Sequence, residues 1–114
     1  MAVCIFCRIA QGEIESTIAY QDDQIVAFHD ANPQAPVHVL IIPRDHIENI
    51  LTVEEKHREL MGQMLIVAAR LTRELGIAES GFRLVTNTNR DAGQFVPHLH
   101  WHLLGGRAMG WPPG

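Results

Sequence analysis

The chain has 114 residues, enough for one domain with a real core and too few for two independent ones. Nine Lys and Arg against thirteen Asp and Glu leave a formal charge of −4, which argues against a protein that holds nucleic acid through a broad basic surface. No apolar run approaches the roughly 20 residues needed to span a bilayer, and the start "MAVCIFCRIAQGE" lacks the hydrophobic centre of a signal peptide, so a cytoplasmic location without membrane contact is expected.

In chain order, "CIFCRIAQGE" sets Ile5, Phe6 and Ile9 at helical spacing before Gly12 and predicts a short helical turn with one apolar side. Thr17 to Tyr20 and Ile25 to Phe28 are two β-prone runs joined by polar residues, a hairpin pattern. "NPQAP" breaks the chain, and "VHVLIIP", residues 37–43, is a nearly continuous apolar strand interrupted only by His38. A long helix is predicted from the T-x-x-E box of Thr52 and Glu55, along Leu60, Met64, Val67, Leu71 and Leu75, to a stop at Gly76. The strand "GFRLVTN", the polar loop "TNRDAGQ" and a last strand "HLHWHLL" ending at Gly105 and Gly106 complete an order that fits a single antiparallel α+β domain over residues 1–114. His29 and His57 are expected to be exposed, at a strand end and on the polar face of the helix.

Two patterns carry chemistry. Cys4 and Cys7, the only cysteines, form a C-x-x-C that reads as a redox motif, a metal ligand pair or inert thiols. A thioredoxin-type motif belongs between a strand and a helix inside a βαβ unit, whereas this one opens the sequence, which weakens the redox reading. On a strand, residues at i, i+2 and i+4 share one face about 7 Å apart, so His98, His100 and His102 point one way and Leu99, Trp101 and Leu103 the other. The apolar set should pack under the helix while the histidines look onto a polar cleft or solvent. Burying three imidazoles without a task would cost roughly 1–3 kcal/mol for each unpaired group. A cation site and a catalytic site both remain open: imidazole is a ligand, and near neutral pH also a nucleophile, base and acid. His38 is a candidate member of the same relay.

"HLHWHLL" is a full match to His-φ-His-φ-His-φ-φ with φ apolar, and the chain resembles the histidine triad (HIT) superfamily. "IFCRIAQGEI", "AFHDANPQAPVHVLIIPRDHI", "AGQFVPHLHWHLLGGR" and "WPPG" extend the likeness over nearly the whole length, closest to the Hint branch of nucleotide-binding phosphoramidases. The resemblance implies a five-stranded antiparallel sheet with one long and one short N-terminal helix, and a homodimer whose sheets join into ten strands. It implies hydrolysis of the phosphorus–nitrogen bond of purine nucleoside 5′-phosphoramidates, with purine nucleoside monophosphate as a further ligand. His100 would be the nucleophile, His102 would contact the phosphoryl group and help the amine depart, and His38 would orient and polarise His100. Asp30, with Ala31 beside it, matches the ribose position; Asn87 and the loop of Gly93, Gln94 and Phe95 match phosphate contacts; Ile5, Phe6 and Phe28 match the purine slot, for which Ile9 reads better as core. Some superfamily members hold structural zinc through a set that Cys4, Cys7, His46 and His98 match. No organic cofactor is implied.

Phe95 stands where many Hint members carry a Ser that contacts the phosphate or leaving group, Pro97 removes a backbone donor just before the triad, and Trp101 is larger than the usual aliphatic residue. Hydrolysis of dinucleoside polyphosphates, and a nucleotide-binding zinc-containing interaction module with vestigial catalysis, are the alternative readings.

Overall fold

The computed structural model describes residues 4–114. A six-residue helix α1 (Ile5–Ala10) opens it, started by the Cys4 side chain, which accepts from the backbone N–H of Cys7. The hairpin β1 (Ile18–Gln21) and β2 (Ile25–His29) follows. Asp22 shapes the turn by accepting from the backbone N–H groups of Gln24 and Ile25, both at 2.8 Å. Strand β3 (Val37–Pro43), helix α2 (Arg58–Glu74), strand β4 (Phe82–Val85), a short helix α3 (Asn89–Ala92) and strand β5 (Trp101–Gly105) complete the order. The five strands form one antiparallel sheet in the order β1-β2-β3-β5-β4. The α+β, five-stranded expectation therefore holds in element order and pairing.

The sheet separates two apolar layers. On one face Ile25, Ala27, Val39, Ile41, Leu99, Trp101 and Leu103 pack under Met64, Val67, Ala68 and Leu71 of α2. On the other, Val26, Phe28, Leu40 and Ile42 are covered by Phe6 and Ala10 of α1. The alternation read from "HLHWHLL" thus puts each residue on its expected side, but the histidine side is no open cleft. His98 is 0 % and His100 7 % exposed, because α1 lies over them.

Four local expectations need correction. The long helix starts at Arg58 and not at Thr52. Asn49 caps Thr52 reciprocally in a 3₁₀ turn and Val53 is extended (ψ 132°), so Thr52 closes one turn and Glu55 opens the next, both before the helix. His57 sits in the next turn, half buried, where its Nδ1 accepts from the backbone N–H of Glu54 at 2.9 Å, and His29 is also half buried. The last strand begins at Trp101, leaving His98 and His100 in extended chain before it, and β4 stops at Val85. The polar loop contains α3, which ends at Gly93 in the left-handed conformation (φ 80°).

Candidate functional site

The strand register decides which histidines meet. Leu40 of β3 stands opposite His102, and His38 stands opposite Leu104. His38 is therefore the diagonal neighbour of His102 on the same face, within reach of a ring. Nε2 of His38 and Nδ1 of His102 lie 2.9 Å apart. The backbone N–H of Gln34 donates to Nδ1 of His38 at 3.0 Å, so in the neutral ring the proton sits on Nε2 and is donated to His102. His102 then keeps its own proton on Nε2. Oδ2 of Asp30 lies 3.5 Å from Nε2 of His38, while its Oδ1 accepts from the backbone N–H of Asn32. Asp30, His38 and His102 bring together atoms of the kind that bind a cation, but Nε2 of His38 has its lone pair committed to a proton. The trio instead fixes the tautomers of the two rings.

His100 is held differently from the expectation that His38 orients it. Its Nδ1–H donates to the backbone carbonyl of His98 at 2.7 Å, which leaves Nε2 bare. The Phe6 ring meets it edge-on at 5.0 Å and the His102 ring lies 5.0 Å away. The Thr86 hydroxyl donates to the His100 carbonyl at 2.9 Å, fixing the backbone that carries the ring.

Burial sets the charge state. It pushes the pKa of His100 and His38 below the usual imidazole range, partly offset in both by Asp30. It pushes His102 down to about 4, helped by the neighbouring rings of His100 and His38. All three are neutral at pH 7, so the Nε2 lone pair of His100 is available. The unfolded chain, with imidazoles near 6.5, binds protons in a range where the folded one does not, so stability is constant above about pH 6.5 and falls towards pH 4. We expect the melting temperature to be level from pH 7 to 8 and to decline below 6.5. The decline should be shallower in His102→Asn, whose Oδ1 can accept from His38 in place of Nδ1; an equal slope in the variant would assign the titration to other groups.

Next to the trio, Cys4, Cys7, His46 and His98 place one sulfur or nitrogen each within 4.8 Å of one another. Nε2–H of His98 donates to the Pro43 carbonyl at 2.8 Å, which turns its bare Nδ1 towards Sγ of Cys4 at 3.3 Å and of Cys7 at 3.5 Å. Nδ1 of His46 is 3.3 Å from Sγ of Cys7. Tetrahedral Zn–S and Zn–N bonds of about 2.3 and 2.0 Å put ligand pairs about 3.3–3.8 Å apart. The donor set, its spacing and the carbonyl behind His98 all suit such an ion. Burial and the adjacent Cys4 push the Cys7 thiol up to about 11.

The remaining expected positions are distributed around this centre. Phe6 and Phe28 pack ring to ring at 5.5 Å within the second core, whereas Ile5 is exposed and Ile9 lines that core. Ala31 is exposed at the Asp30 turn, and Asn87 is half buried directly after Thr86. The Gln94 side chain is engaged with backbone, accepting from the N–H of Asn89 and donating to the carbonyls of Glu48 and Val96. Its backbone N–H is engaged too, donating to the Asn89 carbonyl at 3.1 Å. Phe95 is 93 % exposed. Gln34, Pro43 and Thr86 escaped the sequence reading because two act through backbone atoms and the third through a hydroxyl that no spacing rule marks.

The HIT domain family model matches residues 11–109. The chain belongs to the HIT family. A purine nucleoside phosphoramidase of Escherichia coli (strain K12) is 51 % identical over 106 residues, covering 93 % of this chain and 89 % of that protein. A 14 kDa zinc-binding protein of Zea mays is 46 % identical over 112 residues, covering 96 % and 87 %. Among solved structures, a HIT family hydrolase from Legionella pneumophila Philadelphia 1 superposes with a TM-score of 0.96 at 52 % identity, over 98 % of this chain and all of that one. The match to the HIT family model begins after α1, so the thiols of this HIT protein lie outside it.

Proposed function

We propose that the protein hydrolyses the phosphorus–nitrogen bond of purine nucleoside 5′-phosphoramidates through a nucleotidyl-His100 intermediate. The observation that carries this reading is the neutral His100 ring, whose Nδ1–H is fixed on the His98 carbonyl and whose Nε2 is bare. Attack by that lone pair forms a bond from imidazole nitrogen to phosphorus as the bond to the amine breaks. The Nε2–H of His102, kept on that nitrogen by the hydrogen bond from His38, hydrogen-bonds the departing nitrogen, which leaves with a proton drawn from solvent. Water then displaces His100 from phosphorus, releasing the nucleoside monophosphate and a proton. Asp30 takes the ribose hydroxyls, the Gly93–Phe95 loop and Asn87 face the phosphoryl group, and the purine lies over Ile5 at the edge of the Phe6 and Phe28 pair. The name of the Escherichia coli relative supports this substrate class.

Cys4, Cys7, His46 and His98 hold zinc in this reading, supported by their geometry and by the name of the maize relative. The ion supplies a fixed cation that neutralises two thiolates and joins α1 to the segment before β5. The homodimer is supported by the position of β4 at the sheet edge among the described residues, with Phe82 44 % exposed, and by Leu65 and Ile66 on α2, 53 % and 62 % exposed.

The exposed Phe95, in place of a hydroxyl at the leaving-group position, favours a second reading of nucleotide binding without efficient turnover. One experiment separates the readings: adenosine 5′-phosphoramidate bearing an amine reporter and a dinucleoside polyphosphate are offered side by side. Release of amine with little cleavage of the dinucleotide is the expected result. Faster cleavage of the dinucleotide, or tight binding of adenosine monophosphate with no amine released, would overturn the proposal.

A further inference from the structure

The C-x-x-C pair touches the nucleophile along two routes. Cys4 and Cys7 flank Phe6 in α1, and the Phe6 ring contacts both His98 at 6.0 Å and His100 at 5.0 Å. The same two sulfurs face Nδ1 of His98, whose backbone carbonyl holds the His100 ring. Both cysteines are half buried and His46 is exposed, so a small oxidant can reach the cluster. Helix α1 has only six residues and its start is capped by Sγ of Cys4 itself, so little local structure opposes a change at the sulfurs.

We infer that Cys4 and Cys7 form a reversible oxidation site that switches the phosphoryl-transfer centre off by withdrawing both sulfurs from His98 and His46. The reaction takes a hydroperoxide as oxidant. One thiolate attacks the peroxide oxygen, giving a sulfenic acid and, after protonation, one water from hydrogen peroxide. The second thiolate attacks that sulfur, the S–S bond forms, and hydroxide leaves to become the second water. Two electrons pass from the sulfur pair to the peroxide, and the zinc the thiolates held is released. A disulfide cannot present two thiolates to a cation, and a pair bonded to each other no longer pins His98 through Nδ1. The Pro43 carbonyl still holds Nε2 of His98, but the ring is no longer held from both nitrogens; the carbonyl that fixes the His100 tautomer shifts with it, and a displacement near 1 Å at a reacting group costs on the order of 100-fold in rate.

The inference rests on the reading of His100 as nucleophile, so the test has readouts besides turnover. Reduced, zinc-loaded protein is treated with hydrogen peroxide at equimolar amounts, and four quantities are followed: the Cys4–Cys7 disulfide by peptide mass, released zinc by a chromogenic chelator, the Nδ1–H signal of His100 by ¹H–¹⁵N spectroscopy, and amine release. The expected result is one zinc freed per disulfide, loss of the His100 Nδ1–H signal and at least a tenfold fall in kcat/KM, all restored by dithiothreitol and zinc. Methionine sulfoxide is not reversed by dithiothreitol, so recovery assigns the effect to the thiols. A disulfide that forms while the His100 signal and turnover persist overturns the switch, as does peroxide treatment that leaves both thiols free. If the reduced protein releases no amine, the phosphoramidate reading fails while the zinc and His100 signals still test the switch.

Discussion

Replacing His100 with glycine should abolish amine release from an adenosine phosphoramidate, lowering kcat/KM by about four orders of magnitude or more, as expected when a covalent nucleophile is removed. Affinity for adenosine monophosphate should change only a few-fold, because the ribose contact proposed for Asp30 and the phosphate contacts proposed for Asn87 and residues 93–95 lie on other segments. Among the described residues, the His100 side chain hydrogen-bonds only the His98 carbonyl. The two measurements therefore separate chemistry from binding. Retention of wild-type turnover by the variant would remove the nucleophile assignment. The same substitution at His38 should act more mildly, slowing amine release without abolishing it, since it removes only the donor that fixes the His102 tautomer.

Removing zinc with a strong chelator should lower the melting temperature by about 15 °C. A ligand at about a thousand times its dissociation constant stabilises the folded state by about 4 kcal/mol, and for a domain of this size each kcal/mol corresponds to about 4 °C. The loss should centre on α1, because Cys4 and Cys7 bracket it and the rest of its hold is a small core around Phe6 and Ala10. Since the Cys7 thiol stands near 11 without the ion, loading must expel protons, and the protein should take up zinc more weakly as pH falls below neutral. Protein purified without a histidine tag that contains no zinc, and melts identically with and without chelator, would contradict the metal reading.

The two faces of "HLHWHLL" were legible because a two-residue period assigns side chains whether or not hydrogen bonds complete the strand. Only Trp101 onwards pairs as strand, yet His98 and Leu99 still fall on opposite sides. The hairpin, the strand 37–43 and the stripe from Met64 to Leu71 were legible for the same reason: their apolar residues face large, continuous layers. The start of α2 was not, since Thr52 serves two overlapping signals and the nearer partner, Asn49, wins. Nor could spacing reveal the partner of His38. That choice depends on register, which sets Leu40 opposite His102 and leaves His100 beyond the end of the paired strand. The metal set came from resemblance, and geometry then supplied what the sequence lacked, the Pro43 carbonyl that selects the nitrogen His98 presents.

The shared strand has a consequence for how this protein can vary. Leu99 and Leu103, 1 % and 0 % exposed, are packed beneath α2, yet they alternate along one backbone with His98, His100 and His102. Shortening either side chain opens a void that the neighbours fill only in part, and the strand must shift to fill it, carrying the opposite face along. Positions that look purely architectural are thus under the same constraint as the histidine face. Drift in the large core has to proceed by paired, volume-conserving exchanges, and a chain that accumulates single changes there loses its chemistry before it loses its fold.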